Sequence, residues 1–289
     1  MPSTIDIRRR IRSVKKTQQL TKAMKMVSAA KLRRAQDRIF AARPYAAALR
    51  EVLSSVTTRV DVSQHPLLTA HERERSVLVV VITADRGLCG AFNANAIRAS
   101  MNFIREKNFE KVEVLPIGRK ANEFFRRRTI PLRRPATQAV HALSLETARE
   151  IADSFVKDFV SGSIDAVYVV FNEFRSIISQ IVRVERLLPL ARTWGEVQPQ
   201  EAPVDYLYEP GPEQILNEIL PKHIEFQIYR SLLESAAAEQ GARMTAMEAA
   251  TKNASDLIGH LTLMYNRMRQ AAITKELIEI VSGAAAQEG

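Results

Sequence analysis

Cysteine is almost absent from the 289 residues, Cys89 being the only one, which excludes an internal disulfide framework and a Cys-rich zinc site and suits a reducing compartment. No apolar run approaches the ~18 to 20 residues needed to span a bilayer, and the N-terminus lacks an apolar signal core. A soluble, non-secreted chain is expected. The five histidines (His65, His71, His141, His223, His260) show no metal-ligand spacing, and neither a Gly-Lys-Ser/Thr phosphate loop nor a Gly-x-Ser-x-Gly elbow occurs. No cofactor, metal site or catalytic residue is therefore predicted. Glycine is missing before Gly87, and proline is missing after Pro221. Two uninterrupted helical stretches thus bracket a punctuated middle.

Acidic residues are scarce in one place. Residues 1–40 hold twelve of the 42 Lys and Arg but only Asp6 and Asp37, so the whole net charge of +10 resides there. A solvated helix face would normally carry acids as well, and a targeting peptide would not extend so far. A nucleic-acid-binding helix has the charge, yet the only aromatic in this stretch is Phe40, too few for base stacking. A helix facing acidic protein surfaces is the fourth reading, and the one a long coiled coil suits best.

What is present is periodicity. Ser3-Thr4-Ile5-Asp6 is a capping pattern that starts a helix. Ile7, Ile11 and Val14, then Leu20, Met24 and Val27, recur at helical spacing, and the pattern continues past Pro44 to Val56. At the other end, steps of three and four from Leu233 run through Gln240, Arg243, Met247, Ala250, Ala254, Leu257, Leu261, Met264 and Met268 to Ile278, a coiled-coil repeat. An uninterrupted helix from Lys222 to Ser282 would be ~90 Å long. It needs the N-terminal helix as an antiparallel partner. Gly241 lies inside this helix and reads as a flexible point.

Between them, Val77–Ile82 and Val112–Ile117 read as buried strands. Ala94–Ile104, a short segment with Phe124 and Phe125, and Leu145–Phe159 capped by Ser144 read as helices. Ala166–Phe171 and Ile178–Arg186 form an antiparallel hairpin. The predicted fold is a long antiparallel coiled coil of N- and C-terminal helices with an inserted Rossmann-like α/β domain. Its parts are residues 1–57, 76–190 and 212–289. The loop Thr83–Asn93 lies where such sheets bind ligands, but Gly-x-x-Gly is a poor phosphate cradle, and Asp85 and Cys89 read as corner-packing residues.

Three stretches in order, Ile11 to Lys31, Asp85-Arg86-Gly87-Leu88-Cys89-Gly90-Ala91-Phe92-Asn93, and Tyr265-Asn266-Arg267 through Gln270 to Ile280-Val281-Ser282-Gly283-Ala284, resemble the γ subunit of the rotary F-type ATP synthase over nearly the whole chain. The resemblance implies a non-catalytic rotor that couples rotation of the membrane c ring to ATP synthesis or hydrolysis at sites on the β subunits. The implied partners are the α, β, ε and c-ring subunits, with one copy per complex. The implied location is peripheral, on the cytoplasmic face of the bacterial inner membrane. It matches Met24, Arg243 and Gln270 to contacts with β, and Tyr206 and Glu209 to the foot segment that meets the c ring and ε. Ile273, Leu277, Ile278, Ile280 and Val281 form an apolar tip suited to a collar. Met24 equally fits a coiled-coil core position. Arg243, placed on the apolar seam, either pairs with a helix acid such as Glu239 or points outward to β. The inserted cysteine pair of the redox-regulated chloroplast form is absent. The alternative from another class is a coiled-coil nucleic-acid-binding protein.

Overall fold

The structure is a computed structural model, and it describes residues 3–57, 65–69, 73–133, 143–190 and 211–285. In chain order the elements are α1 (Thr4–Thr57), β1 (Ser76–Ile82), α2 (Phe92–Lys107), β2 (Lys111–Ile117), α3 (Arg119–Phe125), α4 (Leu145–Val160), β3 (Ala166–Phe174), β4 (Gln180–Leu188) and α5 (Pro212–Ala285). They fall into two compact units. One joins α1 up to Ser28 with α5 from Met244 onward, and the other runs from Ala29 to Arg243.

The cap predicted for α1 is formed. Asp6 N donates to Ser3 Oγ (3.2 Å), while Ser3 Oγ (2.8 Å) and Ser3 N (3.2 Å) donate to Asp6 Oδ2, and the two bonds to the carboxylate lower the Asp6 pKa. In the first unit the two helices run antiparallel, since partner numbers on α5 fall as those on α1 rise. Arg8 bonds Tyr265, Gln18 bonds Ser255 at 2.6 Å, Thr21 meets Thr251 at 2.7 Å, and Lys25 meets Glu248 at 2.6 Å.

This register corrects two parts of the sequence reading. On α1 the inward positions are Ile7, Ile11, Val14, Gln18, Thr21, Lys25 and Ser28, a strict alternation of four and three, while Leu20 and Val27 are exposed. Each polar seam residue from Gln18 to Lys25 has a partner across the seam, which offsets its lost hydration. On α5 the inward set is Met247, Thr251, Ala254, Ile258, Leu261, Tyr265 and Met268. Leu257 and Met264, expected on the seam, face outward one position away.

In the second unit, a four-stranded sheet has the order β2-β1-β3-β4. β1 pairs in parallel with both β2 and β3, and β3 pairs antiparallel with β4. The expected Rossmann-like sheet with an antiparallel edge is therefore present. Because β1 is fully covered on both faces, its Val77–Ile82 run is continuous rather than alternating. One face packs Val79, Val81 and Phe125; the other packs Leu78, Val80, Phe155 and Phe171 with α4 and the start of α5. Ser144 accepts a hydrogen bond from Thr147 N (3.2 Å) and caps α4 as the sequence suggests.

The C-terminal helix starts at Pro212, ahead of the proline-free Lys222–Ser282 stretch, and passes through Pro221. An interior proline costs about 3 kcal/mol. Leu216, Leu220, Ile224 and Ile228, four residues apart and all within the main core, offset that by burial at roughly 1.5 to 3 kcal/mol per side chain. Gly241 is also explained differently. A Cβ there would lie 3.3 Å from Phe174 Cε2 and 3.5 Å from Ile177 O, so the residue admits close approach of the β3–β4 hairpin. Packing, not flexibility, selects glycine at this position.

The same helix face carries a strained polar group. Glu234 Oε2 is buried without a hydrogen-bond partner among the described residues. Desolvation raises its pKa above 4.5, against the pull of Arg230 and with the repulsion of Glu173 and Glu185. An acid with a raised folded pKa favours folding only while protonated, so its contribution is complete below about 4.5 and is lost as pH rises through the folded value. Glu234→Gln should thus raise the melting temperature at pH 7 and have little effect at pH 4. Melting curves at the two pH values check this, and an equal effect at both would show that Glu234 is not strained by its charge.

Candidate partner-contact site

The predicted contact residues occupy different environments. Met24 is half-buried beside the seam residue Lys25, so it belongs to neither the dry core nor the open surface. Gln270 is exposed. Tyr206 and Glu209 lie outside the described residues. Of the twelve N-terminal cations, all but Lys25 are exposed, which leaves a basic face along the whole first part of α1.

The tip follows from the register. With Arg8 opposite Tyr265, Thr4 at the start of α1 stands opposite Arg269. Among the described residues, those beyond that point have no α1 turn to pack on. Ile273, Leu277, Ile278, Ile280 and Val281 are accordingly 48 to 68% exposed. They spread over roughly 160° of the helix, wider than a two-position seam.

Arg243 is held inside its own unit. Its side chain is only 11% exposed, Nη1 lies 2.6 Å from Glu239 Oε1, and Nη2 donates to Gly87 O at 3.3 Å. The pairing with Glu239 is the compensation expected on the first of the two accounts. The bond to Gly87 was not legible, because residues 156 apart in sequence carry no shared periodicity. It ties α5 to the loop after β1.

That loop is filled by the chain's own groups. Asn93 Oδ1 accepts from Ala84 N (2.9 Å), its Nδ2 donates to Cys89 Sγ (3.2 Å), and Asp85 Oδ1 accepts from Arg119 N (2.8 Å) at the start of α3. Cys89 packs with Ala84, Phe92, Ala238 and Ala242. Burial raises the thiol pKa, and the nearby Arg243 opposes this only in part. Asp85 and Cys89 are corner-packing residues, as read from the sequence.

A family model described as ATP synthase matches residues 3–287. The ATP synthase gamma chain of Solibacter usitatus is 52% identical over 100% of both chains, and that of Chlorobaculum tepidum is 50% identical over 98% of each. The chain belongs to the ATP synthase gamma-chain family. A chain in the central stalk and c-ring structure of the Tetrahymena thermophila mitochondrial ATP synthase is 28% identical, with a TM-score of 0.60 over 80% of this chain and 99% of that one. A chain of the Euglena gracilis mitochondrial enzyme, in an OSCP, F1 and c-ring structure, shares the fold with a TM-score of 0.65 at 22% identity, covering 98% and 94%. The expected fold class is borne out, and the function is that of the gamma chain of ATP synthase. Nothing in these matches supports the nucleic-acid-binding alternative. Among the described residues no helix is long and apolar enough to cross a membrane.

Proposed function

We propose that the paired helices turn inside a ring of α and β subunits whose catalytic sites lie on β, while the α/β domain and the segment bearing Tyr206 and Glu209 join ε and the c ring. One copy serves each complex, on the cytoplasmic face of the bacterial inner membrane. Rotation of the c ring carries the shaft, and its changing face against each β subunit drives ATP synthesis or is driven by hydrolysis. The observation that carries this reading is the overhanging tip of α5. Five large apolar side chains stand exposed on a helix with no α1 turn beside them, and only an enclosing partner buries a stripe that wide. The basic face of α1 supports it in a second way. Exposed ion pairs are worth about 0 to 1 kcal/mol each, so contacts with acidic loops can break and re-form as the shaft turns. Met24 and Gln270 are open to such a partner, whereas Arg243 would have to share its donors with Glu239 and Gly87.

Reconstitution with α, β and ε subunits tests the proposal. The chain should assemble in one copy and rotate on ATP addition, while the isolated chain should bind no ATP at submicromolar concentration. Ending the chain at Ala272 should leave the sheet-containing unit folded and loosen the shaft, seen as faster dissociation of the assembled complex. Assembly as tight as that of the intact chain would remove the collar from the proposal.

A further inference from the structure

We propose that the groove between α2 and the segment running from α3 to Thr129 is a docking site for an acidic, amphipathic segment of a partner protein. The site lies on the α/β domain, for which the reading above proposes contacts with ε and the c ring; it is argued from the groove itself, and its test does not depend on those contacts or on those of α1 and α5. The groove has a volume of about 1050 Å³. Its floor is apolar, formed by Ile97 and Met101 of α2 and Phe124 of α3, each half-buried. Its rims are basic and exposed: Arg98 and Arg105 stand on one side, and Arg127 and Arg128 on the other.

Among the described residues the charge is only slightly balanced, by the field of Glu123 on Arg127. Glu123, the only acid lining the groove among the described residues, is paired with Lys120 at 2.8 Å and Arg119 at 3.3 Å. None of the four rim arginines forms a salt bridge among the described residues. Arg128 lies over the Phe124 ring at 4.3 Å, which holds its planar donor fork at the rim, ready for a carboxylate.

The arrangement selects among anionic partners. A single phosphate needs donors converging on one point, but Arg98 and Arg105 are about 10 Å apart along α2. A lipid surface would be met by protruding apolar side chains, whereas here they form a floor recessed between the cations. An extended row of carboxylates beside an apolar stripe satisfies both features, and a short acidic helix laid along the groove presents that pattern.

The test uses the full chain and a fluorescein-labelled helical peptide of about 18 residues, with Glu on one face and Leu on the adjoining one. Because the basic face of α1 will also attract acidic peptides, two matched variants are compared. Arg98→Gln/Arg105→Gln alters the groove, and Arg9→Gln/Lys16→Gln removes as much charge from exposed α1 positions. The expected result is affinity about tenfold weaker for the groove variant and nearly unchanged for the α1 variant, with equal melting temperatures. A photoreactive Leu analogue in the peptide should attach to the α2–α3 region of the unaltered chain. Equal losses in both variants, or attachment confined to α1, would overturn the proposal. So would groove-dependent binding of inorganic phosphate or phosphatidylglycerol vesicles without groove-dependent binding of the peptide.

Discussion

Gly118→Ala is expected to destabilise the sheet-containing unit by about 3 kcal/mol or more, through both strain and collision. Gly118 joins β2 to α3 with φ at +91°, outside the range that residues with a Cβ adopt readily. A Cβ at this position would lie 2.1 Å from Thr83 O and 2.8 Å from Thr83 C, both backbone atoms. Thr83 cannot retreat cheaply. Its N–H donates to Ile117 O at 2.9 Å, and its Oγ1 accepts from Ala121 N at 2.8 Å, so it joins β1 to β2 and to the first turn of α3. Moving it would break bonds in a buried region. Chemical denaturation of the full chain measures the loss. Gly87→Ala is the control, because no atom of the described residues lies within 4 Å of a Cβ there and its φ lies outside the left-handed region. Equal stability of the two variants would show that the close approach at Gly118 imposes no constraint.

Arg243→Leu is expected to cost about 2 kcal/mol, opposite to the gain that an apolar seam position would imply. Glu239 is only 15% exposed and its principal partner is the Arg243 guanidinium at 2.6 Å. Removing the cation leaves a poorly hydrated carboxylate behind, and breaking one side of such a pair costs more than replacing both. The bond from Nη2 to Gly87 O is lost as well. The pair is less than fully buried, so the effect stays below the 3 to 5 kcal/mol of a wholly buried ion pair. Adding Glu239→Leu should recover at least half of the loss, and the double-mutant cycle isolates the coupling. If Arg243→Leu melts at or above the parent temperature while coupled ATP turnover falls, the arginine acts on a partner rather than on its own unit.

Both expectations rest on contacts between segments distant in the chain, and this is where sequence and structure part. Local rules sufficed for what depends on neighbours. The Ser3 and Asp6 cap, the Ser144 cap, the buried run of β1 and the β3–β4 hairpin all follow from residues a few positions apart, and each is present. The pairing of two proline-poor helices followed from length, since neither could bury its own stripe. Family membership rested on ordered motifs over the whole chain, which needed no geometry.

Registration of the two helices did not follow. On α5 the ladders with Leu257 and Met264 and with Ile258 and Tyr265 share Met247, Ala254, Leu261 and Met268, and both are hydrophobic enough to serve as a seam. Only the partner helix chooses between them. On α1 the seam turns polar from Gln18 to Ser28, where a count of apolar residues selects Leu20 and Val27 instead. Burial of Thr21 is tolerable only because Thr251 lies 2.7 Å away, and no one-dimensional pattern records that pairing. Gly241, Pro221 and Arg243 teach the same point. A glycine, a proline or a charge within a helix has a local cost that the sequence states, while the hairpin, the core or the loop that offsets it is supplied by tertiary contact.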